Sequence, residues 1–160
     1  TGSPLRLAVI GRGRVDPAFH ADVMAFARET AALGHEVTLI LPGSKRHLVA
    51  FCDGYWLHRL RVAQQRPALP LPFITAARRE IRRVADRRAF DFVVTIRRSD
   101  GEGRVAMPAM GGTRAAERQN RAPIVLPATV AEHFRAGRPE ACAAELLAIL
   151  ESRDLAQSVA

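Results

Sequence analysis

The sequence predicts an α/β fold: a three-layer open parallel sheet of about five or more strands, with helices on both faces. Short apolar runs alternate along the chain with longer stretches in which apolar residues recur at helical spacing. The first helical stretch stands between two apolar runs, which is the order of a right-handed βαβ unit. Strands that are covered on both faces consist almost entirely of apolar residues, as the short apolar runs of this chain do.

Length and composition fit one globular domain. The chain has 160 residues, of which 48% are apolar and 25% charged, enough for one core. We expect residues 5–155 to form the domain, residues 1–4 to be a remnant outside the fold and residues 156–160 a tail. No signal-peptide pattern opens the chain, and no apolar run approaches the roughly 18 residues of a spanning helix. These features predict a cytoplasmic location, with peripheral binding at the inner membrane face left open.

The net charge indicates which binding partners the chain favours, and the cysteine content indicates whether disulfides form. The formal net charge is +8, almost all of it from arginine, and Lys45 is the only lysine. Such a surface favours anionic partners such as phosphate groups, nucleotides, acidic lipids or nucleic acid. The two cysteines, Cys52 and Cys142, lie in unrelated segments without disulfide or metal spacing. We expect them to be free thiols.

The first βαβ unit explains a Gly-His pair that stands directly before an apolar strand. Residues 5–10 (LRLAVI) predict a buried strand, and Pro17 suits the first position of the helix that follows. Gly34 supplies the left-handed residue that ends this helix, and residues 36–41 form the second strand. His35 therefore fills a structural joint. The helix face predicted to be buried comprises Phe19, Val23, Phe26, Ala27 and Thr30.

Later segments repeat the pattern. A proline-rich stretch, residues 67–72, leads into a helix, and the polar residues 97–104 predict a loop. The remaining predicted elements are strands at 55–60, 90–95 and 124–126 and helices at about 74–88, within 105–120 and at about 139–151.

The loop after the first strand holds Gly11 and Gly13 in a G-x-G arrangement. The third glycine of a dinucleotide fingerprint would be residue 16, which is Asp, and the second strand ends without an acid to hold a ribose. The pattern argues against NAD binding, and turn geometry accounts for both glycines. The helix N-terminus after them, with Arg12 and Arg14 nearby, is a candidate anion site.

No self-contained catalytic constellation is visible in the sequence. No H-x-x-x-H, C-x-x-C or acid pair indicates a metal, so none is expected, and no serine stands in a nucleophile elbow. His20 can face a ligand cleft, although a solvated helix position is the favoured interpretation. His58 is expected to pack or to cap a strand edge. His47 and His133 stand in polar segments without a partner in the sequence.

The helix that contains RREIRRVADRR is strongly basic. Two interpretations of its basic face stay open: a solvated surface, and a surface for anionic lipid. Nucleic acid is not expected, because no aromatic residues are interleaved and no helix-turn-helix or zinc pattern accompanies the arginines. The apolar stripe consists of Ala77, Ile81, Val84 and Ala85. The basic face consists of Arg78, Arg79, Arg82, Arg83 and Arg87.

Five segments carry a family resemblance. In chain order they are LRLAVIGRGR, ALGHEVTLILPG, DGYWLHRLRV, FDFVVT and APIVLPA, within residues 5–128. Their order and spacing resemble the N-terminal, acceptor-side half of a GT-B fold glycosyltransferase, closest to the retaining nucleotide-sugar-dependent family 4 type. The resemblance implies a Rossmann-like domain, a nucleotide sugar as donor substrate with no further cofactor, and a glycan or lipid-linked acceptor.

The resemblance also implies where the ligand binds. Loops 11–16, 42–46 and 96–103 would meet at the C-terminal edge of the sheet and face the acceptor cleft. Thr95 stands where the family has His, and the family's donor-binding domain is a second domain, so this chain alone is expected to be inactive. The candidate acceptor or anion-binding residues are Gly11, Arg12, Gly13, Arg14, His20, Lys45, Thr95 and Arg97.

The family's second domain grips the nucleotide sugar, so we expect a C-terminal donor-binding domain of the same parent protein as partner. Glu132 and Glu140, with seven residues between them, resemble the family's donor motif. The competing interpretation is an exposed Glu132 and a Glu140 in the first turn of a helix, where the macrodipole favours it. The competing function is a stand-alone, non-enzymatic binding or regulatory module on the same scaffold.

Overall fold

A computed structural model describes residues 3–12, 17–43, 46–61, 71–97, 103–106, 124–125 and 128–158. The strands are β1 (Arg6–Arg12), β2 (Glu36–Gly43), β3 (Leu48–Cys52), β4 (Tyr55–Arg61), β5 (Phe92–Arg97), β6 (Gly103–Ala106) and β7 (Ile124–Val125). The helices are α1 (Pro17–Ala32), α2 (Leu71–Ala85), α3 (Ala128–Arg135) and α4 (Pro139–Ser158).

The strands form one sheet of order β3-β4-β2-β1-β5-β6-β7. The central four, β4, β2, β1 and β5, are parallel, which confirms the predicted α/β fold with a mostly parallel sheet. The pairings β3–β4, β5–β6 and β6–β7 are antiparallel, so the prediction of an all-parallel sheet is wrong at both edges. The fifth predicted strand is β7, and β6 separates it from β5. Because Gly103 and Arg104 begin β6, the predicted loop 97–104 is also wrong at its end.

The unpredicted strand β3 forms a hairpin with β4. Its turn is Asp53-Gly54, and both residues have positive φ, 49° and 85°. Positive φ at both central residues matches the twist of the two strands, and Asp-Gly between apolar runs is a strong hairpin signal. The sequence therefore contained the signal for this strand.

Several helix boundaries differ from the predicted ones. The second helix begins at Leu71, within the proline-rich stretch, because proline is tolerated in a first helical turn. The last helix, α4, continues to Ser158, into the residues predicted as a tail. The short helix α3 was not predicted. Residues 107–120, which hold most of the helix predicted within 105–120, lie outside the described residues, and residues 105–106 belong to β6.

Alternate residues of the central strands point to two cores. Leu7 and Val9 of β1 pack with side chains of α1, α3 and α4, and we call this side of the sheet the α1 face. Ala8 and Ile10 pack with Ala77 of α2, on what we call the α2 face. The α1 face carries the larger apolar cluster, which includes Phe19, Val23, Phe26, Leu39, Leu41, Val94, Leu146, Leu147 and Leu150.

The predicted Gly-His joint is confirmed. Gly34 has φ 93°, and its N–H donates to the Ala31 carbonyl at 2.9 Å, which closes α1. The Leu5 N–H donates to Nδ1 of His35 at 3.1 Å. The joint therefore ends α1 and fastens the start of β1 to the start of β2.

Two further findings bear on the expected class of protein. Among the described residues, no helix combines the length and the apolar character needed to cross a bilayer. Both cysteines are free, as predicted. Cys142 is buried, and burial raises the pKa of its thiol to about 12, so this sulfur stays protonated at neutral pH.

Candidate functional site

The parallel strands end at one edge of the sheet, and the chain connections diverge there between β1 and β5. The connection after β1 passes through α1 on one face, and the helix before β5, α2, packs on the other face. The C-terminal ends of the two strands are in register, with Gly11 beside Ile96 and Arg12 beside Arg97. Such a switch point of an open α/β sheet is where ligands bind.

Four of the predicted binding residues meet at this edge. Gly11 and Arg12 end β1, while Thr95 and Arg97 lie at the end of β5. Thr95 is half-buried. Both strands thus end in an arginine, and the two arginines are register partners. These four candidate residues therefore lie at one edge of the sheet.

Gly11 has a different structural role from the predicted one. It lies within β1 rather than in a turn. A Cβ atom at this position would overlap Cδ2 of Leu41 and contact Val23 and Phe19. Glycine at this position therefore permits the close approach of α1 and β2, and turn geometry does not explain it.

His20 is buried, with 4% of its surface exposed, so the favoured prediction of a solvated position is wrong. Its Nδ1 lies 3.3 Å from Nη1 of Arg59, whose Nη2 contacts the sulfur of Met24 at 3.8 Å. Because Arg59 is near the C-terminal end of β4, the pair joins α1 to the C-terminal edge of the sheet. Arg59 was not among the predicted site residues, and its place near a strand end was the one available signal.

Gly13, Arg14 and Lys45 lie outside the described residues, as do most residues of the three predicted ligand loops. The two glutamates of the suggested donor motif lie on different helices, Glu132 on α3 and Glu140 on α4. Both are exposed, and Glu140 stands in the first turn of α4. This placement agrees with the structural interpretation of the two glutamates.

The basic helix α2 presents its arginines to solvent. Ala77 and Ile81 of the predicted stripe are buried and Val84 and Ala85 are half-buried, which confirms the stripe. The exposed arginines of the predicted patch are Arg78, Arg79, Arg82, Arg83 and Arg87. One of them, Arg83, also has an intramolecular partner, as described next.

A polar cluster lies on the α2 face, and it was not among the features predicted from the sequence. Nδ1 of His58 lies 2.8 Å from Oε1 of Glu80, and Nε2 of His47 lies 3.5 Å from the same oxygen. Arg83 donates to both carboxylate oxygens, from Nε at 3.1 Å and from Nη2 at 2.6 Å. His58 and Glu80 are buried, while His47 is exposed. We call His47, His58 and Glu80 the His-His-Glu cluster.

The cluster corrects the prediction for His47, which has a partner although none was visible in the sequence. His58 is buried within the fold, which confirms the first of its two predicted roles, packing. Glu80 stands three residues after Ala77 and next to Ile81, so it occupies a position of the buried stripe. An acid at such a position is the signal that could have revealed the cluster.

The charges of the cluster have identifiable physical causes. The hydrogen bonds from Arg83 lower the pKa of Glu80 from its ordinary 4.5 to about 2. Burial lowers the pKa of His58, and the hydrogen bond with Glu80 opposes that shift. At neutral pH the cluster therefore contains a carboxylate and a neutral imidazole.

Comparisons with known proteins do not narrow the function. No protein-family model, no curated protein and no solved structure matches this chain. Any functional conclusion consequently depends on the residues of the chain and on the geometry described above.

Proposed function

We propose that this chain is the acceptor-side domain of a GT-B glycosyltransferase, with the three-layer Rossmann-like architecture of that half. Its role would be to hold an anionic acceptor, such as a phosphate-bearing glycan or lipid-linked sugar, at the C-terminal edge of the sheet. The observation that carries the proposal is the register of Arg12 with Arg97 at the switch point between β1 and β5. The ordered Gly-His joint supports it, because the joint is one of the segments on which the resemblance rests.

This placement suggests how the two substrates would be divided between two domains. The edge of β1 and β5 would fix the acceptor, and a donor-binding domain of the parent protein would supply the nucleotide sugar. Transfer needs both substrates held at reacting distance, and this positioning provides much of the rate enhancement. Thr95, at the position of a family histidine, cannot act as a proton acceptor near neutral pH. We therefore expect binding without turnover from this chain alone.

Binding of defined probes tests the acceptor role. Calorimetry with a hexose 1-phosphate should give saturable binding, and the uncharged hexose should give none. Arg12→Gln and Arg97→Gln should each weaken binding roughly tenfold or more, because a hydrogen bond to a charged group contributes about 1.5–3 kcal/mol. Arg28→Gln, at an exposed position of α1, is the matched control and should bind as the parent does. Equal binding of the hexose and its phosphate would refute an anion site.

A turnover assay tests the expected need for a second domain. The chain should neither hydrolyse a uridine-diphosphate hexose nor transfer its sugar, and the full-length parent protein should do so. Release of hexose by the 160-residue chain would overturn this expectation and would make Glu132 and Glu140 active-site candidates. If the parent gene stops after this domain, the stand-alone binding module becomes the better interpretation, and calorimetry with the phosphate probe still measures its ligand.

A second proposal concerns the membrane, and the exposed arginines of α2 support it. An arginine near an anionic surface contributes about 1 kcal/mol, so several together give measurable binding without an inserted segment. The chain should co-sediment with phosphatidylserine vesicles, not with neutral ones, and less at high salt. The informative variant is Arg78→Gln, Arg79→Gln, Arg82→Gln, which spares the Arg83–Glu80 pair.

The matched control for the membrane test changes the same charge elsewhere on the surface. Arg28→Gln, Arg135→Gln, Arg138→Gln also removes exposed arginines, from α1, from the end of α3 and from the turn before α4. If α2 is the membrane surface, the α2 variant should lose vesicle binding and the control should keep most of it. Equal losses from both variants would indicate attraction by net charge alone.

A further inference from the structure

We infer that the His-His-Glu cluster is a binding site for one divalent transition-metal ion of the zinc class. The ligand atoms are Nε2 of His47, Nδ1 of His58 and a carboxylate oxygen of Glu80. The sequence predicted no metal, because the three residues belong to separate segments. The site lies on β4, α2 and the residues before β3, so it shares no residue with the proposed acceptor edge of β1 and β5.

The distances within the cluster suit a small metal ion. The three ligand atoms all lie within 4.8 Å of one another. Oε1 of Glu80 is 2.8 Å from Nδ1 of His58 and 3.5 Å from Nε2 of His47. Zinc binds nitrogen and oxygen ligands at about 2.0–2.2 Å, which places neighbouring ligand atoms of a tetrahedron about 3.3–3.6 Å apart. Small rotations of the side chains would therefore bring the cluster to coordination geometry.

The chemistry of the ligand set selects the metal class. Two imidazoles and one carboxylate form a ligand set that zinc uses with an open fourth position, whereas calcium and magnesium prefer oxygen ligands. His58 and Glu80 are held by the packing of β4 against α2, with 5% and 6% of their surfaces exposed. His47 is exposed, so an ion can enter from its side and water can fill the fourth position.

Arg83 competes with the metal for Glu80. Its guanidinium forms two hydrogen bonds with the carboxylate, and a cation beside the site also repels a metal ion. The Arg83 side chain is 60% exposed, so it can move into solvent when the ion binds. Removing Arg83 should therefore strengthen metal binding. A purely structural role of the Arg83–Glu80 pair predicts no such gain.

Cobalt titration of the purified chain, made without a polyhistidine tag, tests the site. Co²⁺ is the probe because its visible absorption reports coordination, and Zn²⁺ should displace it, since zinc binds such sites more tightly. We expect one Co²⁺ per chain. Loss of an outer hydrogen-bond partner of a ligand typically weakens binding about 10–100-fold, so His47→Ala and His58→Ala should lose at least that much. Arg83→Gln should bind Co²⁺ more tightly than the parent.

The controls separate a built site from adventitious binding. His47→Ala changes an exposed position, so it keeps the fold even if His58→Ala does not. His133, 3.2 Å from Glu145, offers a histidine-carboxylate pair elsewhere in the protein, and His133→Ala should leave Co²⁺ affinity unchanged. No Co²⁺ binding by the parent would refute the site. So would an equal loss from His133→Ala and His47→Ala, or a weaker affinity in Arg83→Gln.

Discussion

The two faces of the sheet bury different kinds of side chains. On the α1 face, α1, α3 and α4 cover the sheet and form the larger apolar cluster. On the α2 face, α2 packs over a smaller apolar cluster, and the hydrogen-bonded side chains of Glu80 and His58 are buried beside it. A buried polar group of α1, the hydroxyl of Thr30, needs no partner from another element, because it donates to the carbonyl of Phe26 in the same helix.

The α1 face therefore contributes mainly to stability, and the α2 face holds the groups that are suited to chemistry. Apolar burial is non-directional and fits many partners, so the α1 face can stabilise the fold without specifying a site. A buried carboxylate needs defined partners, because leaving it unpaired is costly. The α2 face provides these partners in His58 and Arg83. Titratable groups with shifted pKa values in defined geometry are typical of functional positions.

Deleting a large side chain from the α1 face should have the largest effect. Phe26 is completely buried, and Phe26→Ala should cost about 3–5 kcal/mol, because the surrounding helices cannot fill the cavity. Ile81→Ala, on the α2 face, should cost about 2–5 kcal/mol and less than Phe26→Ala. Urea denaturation measures both, with the exposed Leu33→Ala as control. A larger loss from Ile81→Ala would contradict the assignment of the main core to the α1 face.

Acidification should weaken the protein through the α2 face. The folded-state pKa of Glu80 is lowered to about 2, so its contribution is full above its ordinary 4.5 and falls as the pH drops toward 2. About 2 kcal/mol should be lost between pH 5 and pH 3. Denaturant titrations across this range should give a flatter profile for Glu80→Gln, which lacks the titrating carboxylate.

The other groups that face Glu80 define the control for this pH experiment. They are His47, His58 and Arg83. Because burial lowers the pKa of His58, its part of the loss begins below its ordinary 6.5 and persists in Glu80→Gln. Parallel profiles of the parent and Glu80→Gln below pH 5 would show that Glu80 does not contribute as described.

Gly11 tests how closely the α1 face is packed near the proposed ligand edge. Gly11→Ala should cost about 1–3 kcal/mol, because the new methyl group must displace Leu41. The double variant Gly11→Ala, Leu41→Ala should lose less than the sum of the two single losses, since truncating Leu41 creates the space. Thermal denaturation of the three variants measures this coupling. Simple additivity would mean that Leu41 is not the obstacle.

The smallest effect is expected outside both clusters, at Gly34. Its φ of 93° is strained for other residues, although no atom lies within 4 Å of an added Cβ. Gly34→Ala should therefore cost on the order of 1 kcal/mol through the backbone alone. The midpoint of urea denaturation measures the loss. An unchanged midpoint would show that the joint relaxes to accept a side chain.

The sequence alone predicted the features that depend on residues close together along the chain. The apolar runs located β1, β2, β4 and β5, and the helical period located α1 and the buried stripe of α2. Gly34 was assigned its left-handed conformation correctly, because the end of a helix before a strand requires it. The Asp-Gly turn before β4 is an equally local signal, and it indicates the β3–β4 hairpin.

Tertiary structure decided what depends on distant residues. The sequence favoured a solvated position for His20, but the packing of α1 against β4 buries this side chain beside Arg59. The His-His-Glu cluster joins residues that span 33 positions, from 47 to 80, so no spacing motif could reveal it. Sequence periodicity determines which face of an element is buried, because side-chain direction is local. Which groups meet across the buried face depends on strand order and helix placement, and only the folded chain fixes those.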